Sequence, residues 1–107
     1  MRHNDIVCRL GGDEFLIILF NCSAIKIGFG IAEKIISSIK KPIEINHRVK
    51  VNIGVSIGIA LFPVHGDNVE KLLKSADEAM YEVKRNGKNG YGIKGKSGSI
   101  SVNRPSA

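Results

Sequence analysis

The clearest hydrophobic pattern along the chain is a strict alternation over residues 49–61. Every odd position in this range is apolar and every even position is polar or small, which is the period-two pattern of a β-strand. We therefore predict one long strand over 49–61. The small residues on its even face indicate that another element, such as a helix, packs closely against that face.

Two shorter apolar runs near the N-terminus predict a β-hairpin. The runs cover 6–10 and 15–20, and the turn between them begins with Gly11 and Gly12, which tolerate the positive φ of tight turns. The second run, FLIILF, contains no polar residue. We therefore predict that it is buried on both faces, inside a sheet covered by helices.

Helical spacing of apolar residues predicts two helices. The first covers 24–41 and stops at Pro42. The second covers about 68–86, and Asp67 with Glu70 resembles a capping box at its start.

The remaining residues predict short strands and a tail. Gly87 stands at the C′ position of the second helix, and short strands are expected near 43–45 and 91–93. Residues 94–107 are rich in Gly, Ser and Lys, which is typical of a flexible polar tail.

Composition bounds the class of protein. The chain has 107 residues, of which 43% are hydrophobic and 24% charged, as in one small globular domain rather than a disordered segment. No apolar run approaches the roughly 18 residues that span a bilayer, and the N-terminus does not resemble a signal peptide. Neither the histidines nor Cys8 and Cys22 show a metal-ligand spacing, so we expect a reduced, cytoplasmic setting.

The charge balance suits an anionic partner without identifying one. Sixteen Lys and Arg against ten Asp and Glu give a net charge of +6, which favours nucleotides, nucleic acid or anionic lipid. The chain has no Trp and only 6% aromatic residues, and no Arg-rich recognition helix, so nucleic acid is not an expected partner. A basic surface without any charged partner remains the alternative.

The turn of the predicted hairpin carries candidate chemistry. Gly11 and Gly12 expose backbone N–H groups to an approaching phosphate or base edge. Asp13 and Glu14 add two adjacent carboxylates, the hard oxygen ligands that Mg²⁺ prefers. By spacing alone, a Gly-Gly turn followed by two solvated acids is the simpler interpretation.

Four motifs in order give the chain a family resemblance. An RxxD motif at 2–5 is followed after five residues by GGDEF at 11–15, then by SIGIALFP at 56–63 and ADEAMYEVKRNGKN at 76–89. This series resembles the GGDEF family of diguanylate cyclases. The resemblance covers about residues 2–93, so we expect a partial GGDEF domain over 1–93, followed by the tail.

The resemblance implies the fold class. It is α/β (α+β), with a ferredoxin-like, nucleotide-cyclase sheet that is mostly antiparallel and has flanking helices. The matched part is only the later half to two-thirds of the family's domain, so its first strand and two helices would be missing. In the family that strand lies between the hairpin and the SIGIALFP strand. We therefore expect these two strands to pair directly, or the chain to self-associate or aggregate.

The resemblance also implies an activity. Family members condense two GTP into cyclic di-GMP by phosphoryl transfer assisted by two Mg²⁺ (or Mn²⁺) ions. It gives Asp13 and Glu14 the catalytic and metal-binding roles and places Gly11 and Gly12 against the nucleotide. Catalysis needs two domains face to face, which implies a homodimer.

Two lysines match the family's basic pair at the end of the second helix. Lys84 and Lys88 share a helix face at i and i+4, so both can reach one polyphosphate. The family usually has Arg at the second place, so Lys88 keeps the charge but lacks the bidentate fork. The alternative role for both is a favourable interaction with the C-terminal end of the helix dipole.

Arg2, Asp5 and Lys34 resemble the family's product-inhibition site for cyclic di-GMP. Arg suits phosphates and guanine edges, and Asp accepts hydrogen bonds from guanine. A surface ion pair between Arg2 and Asp5 is the alternative.

Two functions follow from the resemblance. The first is a diguanylate cyclase domain whose chemistry requires the complete enzyme, so that this chain alone is expected to be inactive. The alternative is a truncated or degenerate module that binds GTP, cyclic di-GMP or a protein partner without turnover.

Overall fold

The structure, a computed structural model, describes residues 5–20, 25–39, 43–46, 49–51, 54–95 and 97–104. The elements in chain order are β1 (Ile6–Gly11), β2 (Glu14–Leu19), α1 (Ile25–Ile39), β3 (Ile43–Asn46), β4 (Val49–Val51), β5 (Ser56–Leu61), α2 (Val69–Arg85), β6 (Gly90–Lys94) and β7 (Ile100–Asn103). None of the helices in these ranges is long and apolar enough to cross a membrane.

The main sheet has five strands in the order β1-β2-β5-β6-β7. Its two outer pairs, β1 with β2 and β6 with β7, are antiparallel, whereas β2 with β5 and β5 with β6 are parallel. The expectation of a mostly antiparallel sheet is therefore wrong. Each parallel pair is joined through a helix, and a helical crossover returns the chain so that the next strand runs in the same direction.

Strand β2 pairs directly with β5. The register runs from Glu14 opposite Ser56 to Leu19 opposite Leu61, without interruption. Of the three expected consequences of a missing strand, direct pairing is the one that the structure shows. This pairing brings the end of the hairpin next to the start of β5.

The sheet is covered on both faces, as the all-apolar run over 15–20 predicts. Ile17 and Leu19 pack on one face in a cluster with Ala32 and Ile36 of α1. Leu16 and Ile18 face the other way and pack in a cluster with residues of α2. All residues from Phe15 to Leu19 are buried, which confirms the prediction.

The predicted long strand over 49–61 is two strands in two sheets. β4 pairs with β3 in a separate two-stranded sheet, and β5 begins only at Ser56. Residues 52–53 lie outside the described residues. Just before β5, the Val55 N–H donates to the side-chain oxygen of Asn89 rather than to a neighbouring strand.

The small residues of β5 allow α2 to pack closely, as the alternation predicts. A Cβ placed on Gly58 would lie 1.7 Å from the Ala76 carbonyl oxygen, inside the backbone of α2. Only glycine fits at this crossing.

The N-terminal cap of α2 differs from the predicted one, and the C-terminal end agrees with the prediction. The N-cap is Asn68 and not Asp67, because the Asn68 Oδ1 accepts a hydrogen bond of 2.9 Å from the Lys71 N–H. At the other end Gly87 has φ +98°, and the Lys88 N–H donates to the Val83 carbonyl over 3.0 Å. These features form a Schellman motif and confirm Gly87 at C′.

Part of the predicted tail is a strand. β7 pairs with β6, placing Ser101 opposite Ile93 and Asn103 opposite Tyr91. The turn before it contains Gly98 at φ +87°, and the Gly95 N–H donates to the Ser99 carbonyl over 2.7 Å. The polar composition of residues 94–107 did not reveal this hairpin, whose turn requires glycine. Residues 105–107 lie outside the described residues.

Candidate functional site

The turn between β1 and β2 presents Asp13 and Glu14 at one end of the main sheet. A guanidinium nitrogen of Arg9 donates to the Gly12 carbonyl over 2.7 Å, and the guanidinium lies 5.6 Å from the centre of the Phe15 ring. The Asp13 carbonyl accepts a hydrogen bond of 2.8 Å from the Ser56 N–H of β5. The backbone of this turn is thus tied to its own strand and to the neighbouring one.

The last turn of α2 and the loop after it bring two lysines to these carboxylates. The Lys84 ammonium forms an ion pair with Glu14 Oε2. The Lys88 Nζ lies 3.6 Å from Asp13 Oδ2. The structure therefore places the four charged residues of the predicted substrate and metal site in one cluster, although they come from opposite ends of the chain.

The charges in this cluster perturb one lysine. The hydrogen bond to the Glu14 carboxylate, together with the charges of Glu14 and Asp13, raises the pKa of Lys84 above its ordinary value. The Lys84 side chain is therefore fully protonated at neutral pH.

An unusual backbone segment carries Lys88. Lys88 and Asn89 follow Gly87 with φ values of 62° and 55°, so three successive residues are left-handed. Asn89 anchors the segment by accepting from the Val55 N–H over 3.3 Å. Non-glycine residues in this region are strained, and here the surrounding contacts hold them in place. Sequence reasoning missed Asn89, although Asn is, after Gly, one of the residues that most readily adopt a left-handed backbone.

The exposed face of α2 next to the carboxylates forms an open cleft of about 320 Å³. It is lined by Tyr81, Lys84, Arg85 and Lys88. Sequence reasoning missed Tyr81 and Arg85 here. Part of the signal was available, because positions 81, 84 and 85 follow the i, i+3, i+4 spacing of one helix face. The prediction that Lys88 shares this face is wrong, because α2 ends at Arg85 and Lys88 lies in the left-handed segment after it. Three cations in one cleft suit a polyanion.

The glycines of the turn are open to solvent. Gly11 and Gly12 are exposed, and a Cβ on Gly12 would meet no atom within 4 Å. Among the described residues, none therefore blocks a ligand from the Cα of Gly12, whereas the Gly12 carbonyl oxygen is occupied by Arg9.

The donor set at the turn fits a magnesium ion. Among the described residues, no group of three or more His, Cys, Asp or Glu side chains could hold a metal. Asp13 and Glu14 supply two carboxylates, and Mg²⁺ is commonly held by one or two carboxylates together with water and substrate phosphates.

The structure describes two of the three predicted product-binding residues, Asp5 and Lys34. Asp5 is only 7% exposed and its Oδ2 has no hydrogen-bond partner among the described residues. Lys34 is exposed on α1, and Arg2 lies outside the described residues.

The histidine and the cysteine that the structure describes have no place in this cluster. His65 Nδ1 accepts from the Leu61 N–H over 2.9 Å, and its Nε2 lies 2.9 Å from the Lys94 carbonyl oxygen. His65 therefore ties the turn after β5 to the end of β6. Cys8 is a free, partly buried thiol in β1, and His3, Cys22 and His47 lie outside the described residues.

Comparison with known proteins decides the family. The model of the family described as "Diguanylate cyclase, GGDEF domain" matches residues 1–90. The chain belongs to the GGDEF family. Among its relatives, it is 42% identical over 85 residues to the diguanylate cyclase TpbB of Pseudomonas aeruginosa. It is also 42% identical over 91 residues to MucR of the same species, named as a bifunctional diguanylate cyclase/cyclic di-GMP phosphodiesterase.

A solved structure extends the likeness to three dimensions. The crystal structure of the TpbB GGDEF domain has 40% sequence identity and a TM-score of 0.63 and covers 85% of this chain. The match covers 56% of that domain structure. This GGDEF chain spans 20% of the length of TpbB and 13% of the length of MucR. The two alignments include 79% and 85% of its own residues.

Proposed function

We propose that this GGDEF chain supplies a half-site for condensing two GTP into cyclic di-GMP. The observation that carries the proposal is the meeting of Asp13 and Glu14 with Lys84 and Lys88 beside an open basic cleft. A nucleoside triphosphate with its metal requires carboxylates that bind the divalent cation and, next to them, lysines that bind the phosphates.

Each group has a role in that reaction. In the complete enzyme, the 3′-hydroxyl of one GTP attacks the α-phosphorus of the other. A P–O bond forms, the bond to pyrophosphate breaks, and the hydroxyl proton leaves; the same step on the second GTP closes the ring. Asp13 and Glu14 would hold Mg²⁺ (or Mn²⁺), which lowers the pKa of the attacking hydroxyl and offsets charge on phosphorus.

The remaining residues bind and orient the substrate. Lys84 and Lys88 would hold the phosphates, and the open backbone of Gly11 and Gly12 would lie against the nucleotide. Because one chain offers one GTP, the reaction needs a symmetric homodimer with two such sites facing each other. We place this reaction in the cytoplasm, where GTP is available.

A second candidate function is a module that binds GTP, cyclic di-GMP or a protein partner without turnover. Its support is that the described residues bring only two carboxylates together in this cluster. Under this proposal the same cleft binds the phosphates and no bond is broken.

One experiment separates the two candidates. The chain is incubated with GTP and Mg²⁺, cyclic di-GMP is followed by chromatography, and binding of a non-hydrolysable GTP analogue is measured by calorimetry. Turnover that Asp13→Asn abolishes, and that Asp67→Asn leaves intact, establishes the enzyme. Binding without turnover, weakened by Lys84→Met, supports the module for the chain on its own; the half-site then requires that Asp13→Asn abolishes turnover in the complete enzyme. Neither turnover nor binding would overturn both.

We also propose that Arg2, Asp5 and Lys34 bind cyclic di-GMP away from the cleft. Calorimetry with cyclic di-GMP tests this directly. Lys34→Ala should weaken binding, whereas Lys26→Ala, which removes another exposed lysine of α1, should not. Equal affinities in the two variants would remove Lys34 from the site.

A further inference from the structure

The ion pairs of the site point to an exchange of partners. We propose that Lys84 and Lys88 occupy the carboxylates until a divalent cation displaces them, and that the displaced ammonium groups then bind phosphate. The inference rests on the proposed function, because it concerns the order in which metal and phosphate use the same cluster.

The charges of the cluster balance in both states. The two carboxylates, Asp13 and Glu14, meet two ammonium groups in the structure. One divalent cation carries the same charge as the two ammonium groups that it would replace. After the exchange the carboxylates remain neutralised, and two positive charges are released beside Arg85 in the cleft.

The lysines are the movable part of the cluster. The side chains of Lys84 and Lys88 are 38% and 44% exposed, against 25% and 29% for Glu14 and Asp13. The backbone at Asp13 is tied to Ser56 of β5, whereas each lysine has a flexible four-carbon stem. Ion pairs that are this exposed contribute little stability, so a divalent ion can displace them at small cost.

The exchange couples two binding events. Before it, each lysine shares its charge with a carboxylate, and a phosphate group must compete with that carboxylate. After it, the ammonium groups have no anionic partner in the cluster except the incoming phosphates. Metal and polyphosphate therefore help each other to bind, beyond their direct contact with one another.

The test is the affinity of the chain for Mn²⁺ in the absence of nucleotide, measured by electron paramagnetic resonance. Lys84→Met removes a competitor of the metal and should tighten Mn²⁺ binding on the order of tenfold. Arg85→Met is the matched control: it removes one charge from the same cleft, but the described ion pair of Arg85 is with Glu82, not with the turn. We expect Arg85→Met to tighten Mn²⁺ binding much less.

Lysine labelling supplies a second readout. Limited acetylation followed by mass spectrometry should modify Lys84 and Lys88 faster when Mn²⁺ is present, while Lys71, which pairs with Asp67, is unaffected. Equal Mn²⁺ affinities in Lys84→Met and Arg85→Met, with labelling independent of Mn²⁺, would overturn the exchange and leave the metal site standing. Absence of Mn²⁺ binding in every variant would overturn the metal site and the exchange together.

Discussion

At the scale of single residues, the glycines of this chain differ in what surrounds them. Gly58 lies where α2 crosses β5, with the Met80 backbone nitrogen 2.7 Å from the position of an added Cβ. Gly30 lies on α1 with no atom within 4 Å of that position. One glycine is required by packing, and the other only weakens its helix.

The contrast predicts opposite effects for the same substitution. Gly58→Ala should lower the free energy of unfolding by at least about 3 kcal/mol, because the clash is with backbone that cannot rotate away. Gly30→Ala should raise it by about 1 kcal/mol, since alanine is the better helix former. Urea denaturation of both variants checks this, and a Gly58→Ala protein as stable as the unsubstituted chain would refute the close crossing.

A second residue with a measurable role is Tyr91, which ties β6 to α1. Its hydroxyl donates to Glu33 Oε2 over 2.7 Å, and its ring lies 5.2 Å from that of Phe29. Burial, followed by the hydrogen bond to Glu33, raises the pKa of Tyr91 to about 12. The fold therefore favours the protonated hydroxyl.

This shift predicts a loss of stability in alkali. The unfolded chain releases the tyrosine proton near pH 10, while the folded chain keeps it until about pH 12. The contribution of Tyr91 is present below pH 10 and is lost as the pH rises through this window. Tyr91→Phe should lower the free energy of unfolding by about 1 kcal/mol at pH 7 and flatten the fall between pH 10 and 12.

Thermal unfolding as a function of pH provides the measurement. Tyr81→Phe is the control, because the Tyr81 side chain is 58% exposed and should change stability little. A Tyr91→Phe profile as steep as that of the unsubstituted chain would contradict the assignment.

At the scale of elements, two neighbouring residues, Asn68 and Asp67, are candidates for the N-cap of α2, and substituting each in turn distinguishes between them. Asn68→Ala removes the oxygen that accepts the Lys71 N–H and should lower the free energy of unfolding by about 1 kcal/mol. Asp67→Ala removes an exposed ion pair with Lys71 and a long, exposed hydrogen bond from the Asn68 side chain, and should cost less than about 0.5 kcal/mol. Chemical denaturation distinguishes them, and the reverse order of effects would restore Asp67 as the cap.

The loop after α2 offers a further test at this scale. Asn89→Ala removes the acceptor of the Val55 N–H and places a less tolerant residue at φ 55°, so we expect a loss of about 2 kcal/mol. Asn89→Asp keeps an oxygen acceptor and should recover most of this loss. The comparison is made by urea denaturation, and equal losses in both variants would show that the hydrogen bond contributes nothing.

The elements also show what the sequence could and could not predict. Periodicity located both helices, because each has one face that must be apolar, and an unbroken apolar run located β2, which is buried on both faces. It failed at 49–61, where one unbroken alternation serves two sheets, since an alternating pattern contains no information about which partner a strand pairs with. The strand β7 was hidden for a different reason: it has only four residues, ISVN, and they follow a segment whose Gly, Ser and Lys content is typical of a loop.

The site was more accessible to prediction than the fold around it. Asp13, Glu14, Lys84 and Lys88 all come from motifs, and the structure brings these four together. Asn89 could not be found from periodicity, because its contribution depends on a left-handed backbone and a contact 34 residues away.

At the scale of the whole molecule, β1 forms an edge of the main sheet and exposes apolar side chains. Among the strands that the structure describes, β2 alone pairs with it, and Ile6 and Leu10 are 43% and 49% exposed. An edge strand with apolar side chains invites pairing with a second copy of the chain.

We therefore expect concentration-dependent self-association that a charge on β1 suppresses. Ile6→Lys should shift the chain toward monomer in sedimentation velocity, because a lysine on an edge strand opposes pairing with another copy. Val64→Lys is the control, since Val64 is 60% exposed but lies in the turn after β5. A sharp monomer of the unsubstituted chain at high concentration would contradict the expectation.

The start of β5 joins the two halves of the site through adjacent amides. The Val55 N–H is bonded to the loop that carries Lys88, and the Ser56 N–H to the turn that carries Asp13. In hydrogen–deuterium exchange these two neighbouring protons act as separate reporters, one for each arm of the cluster. A ligand that orders the turn alone would slow exchange at Ser56, and one that orders both arms would slow exchange at both positions.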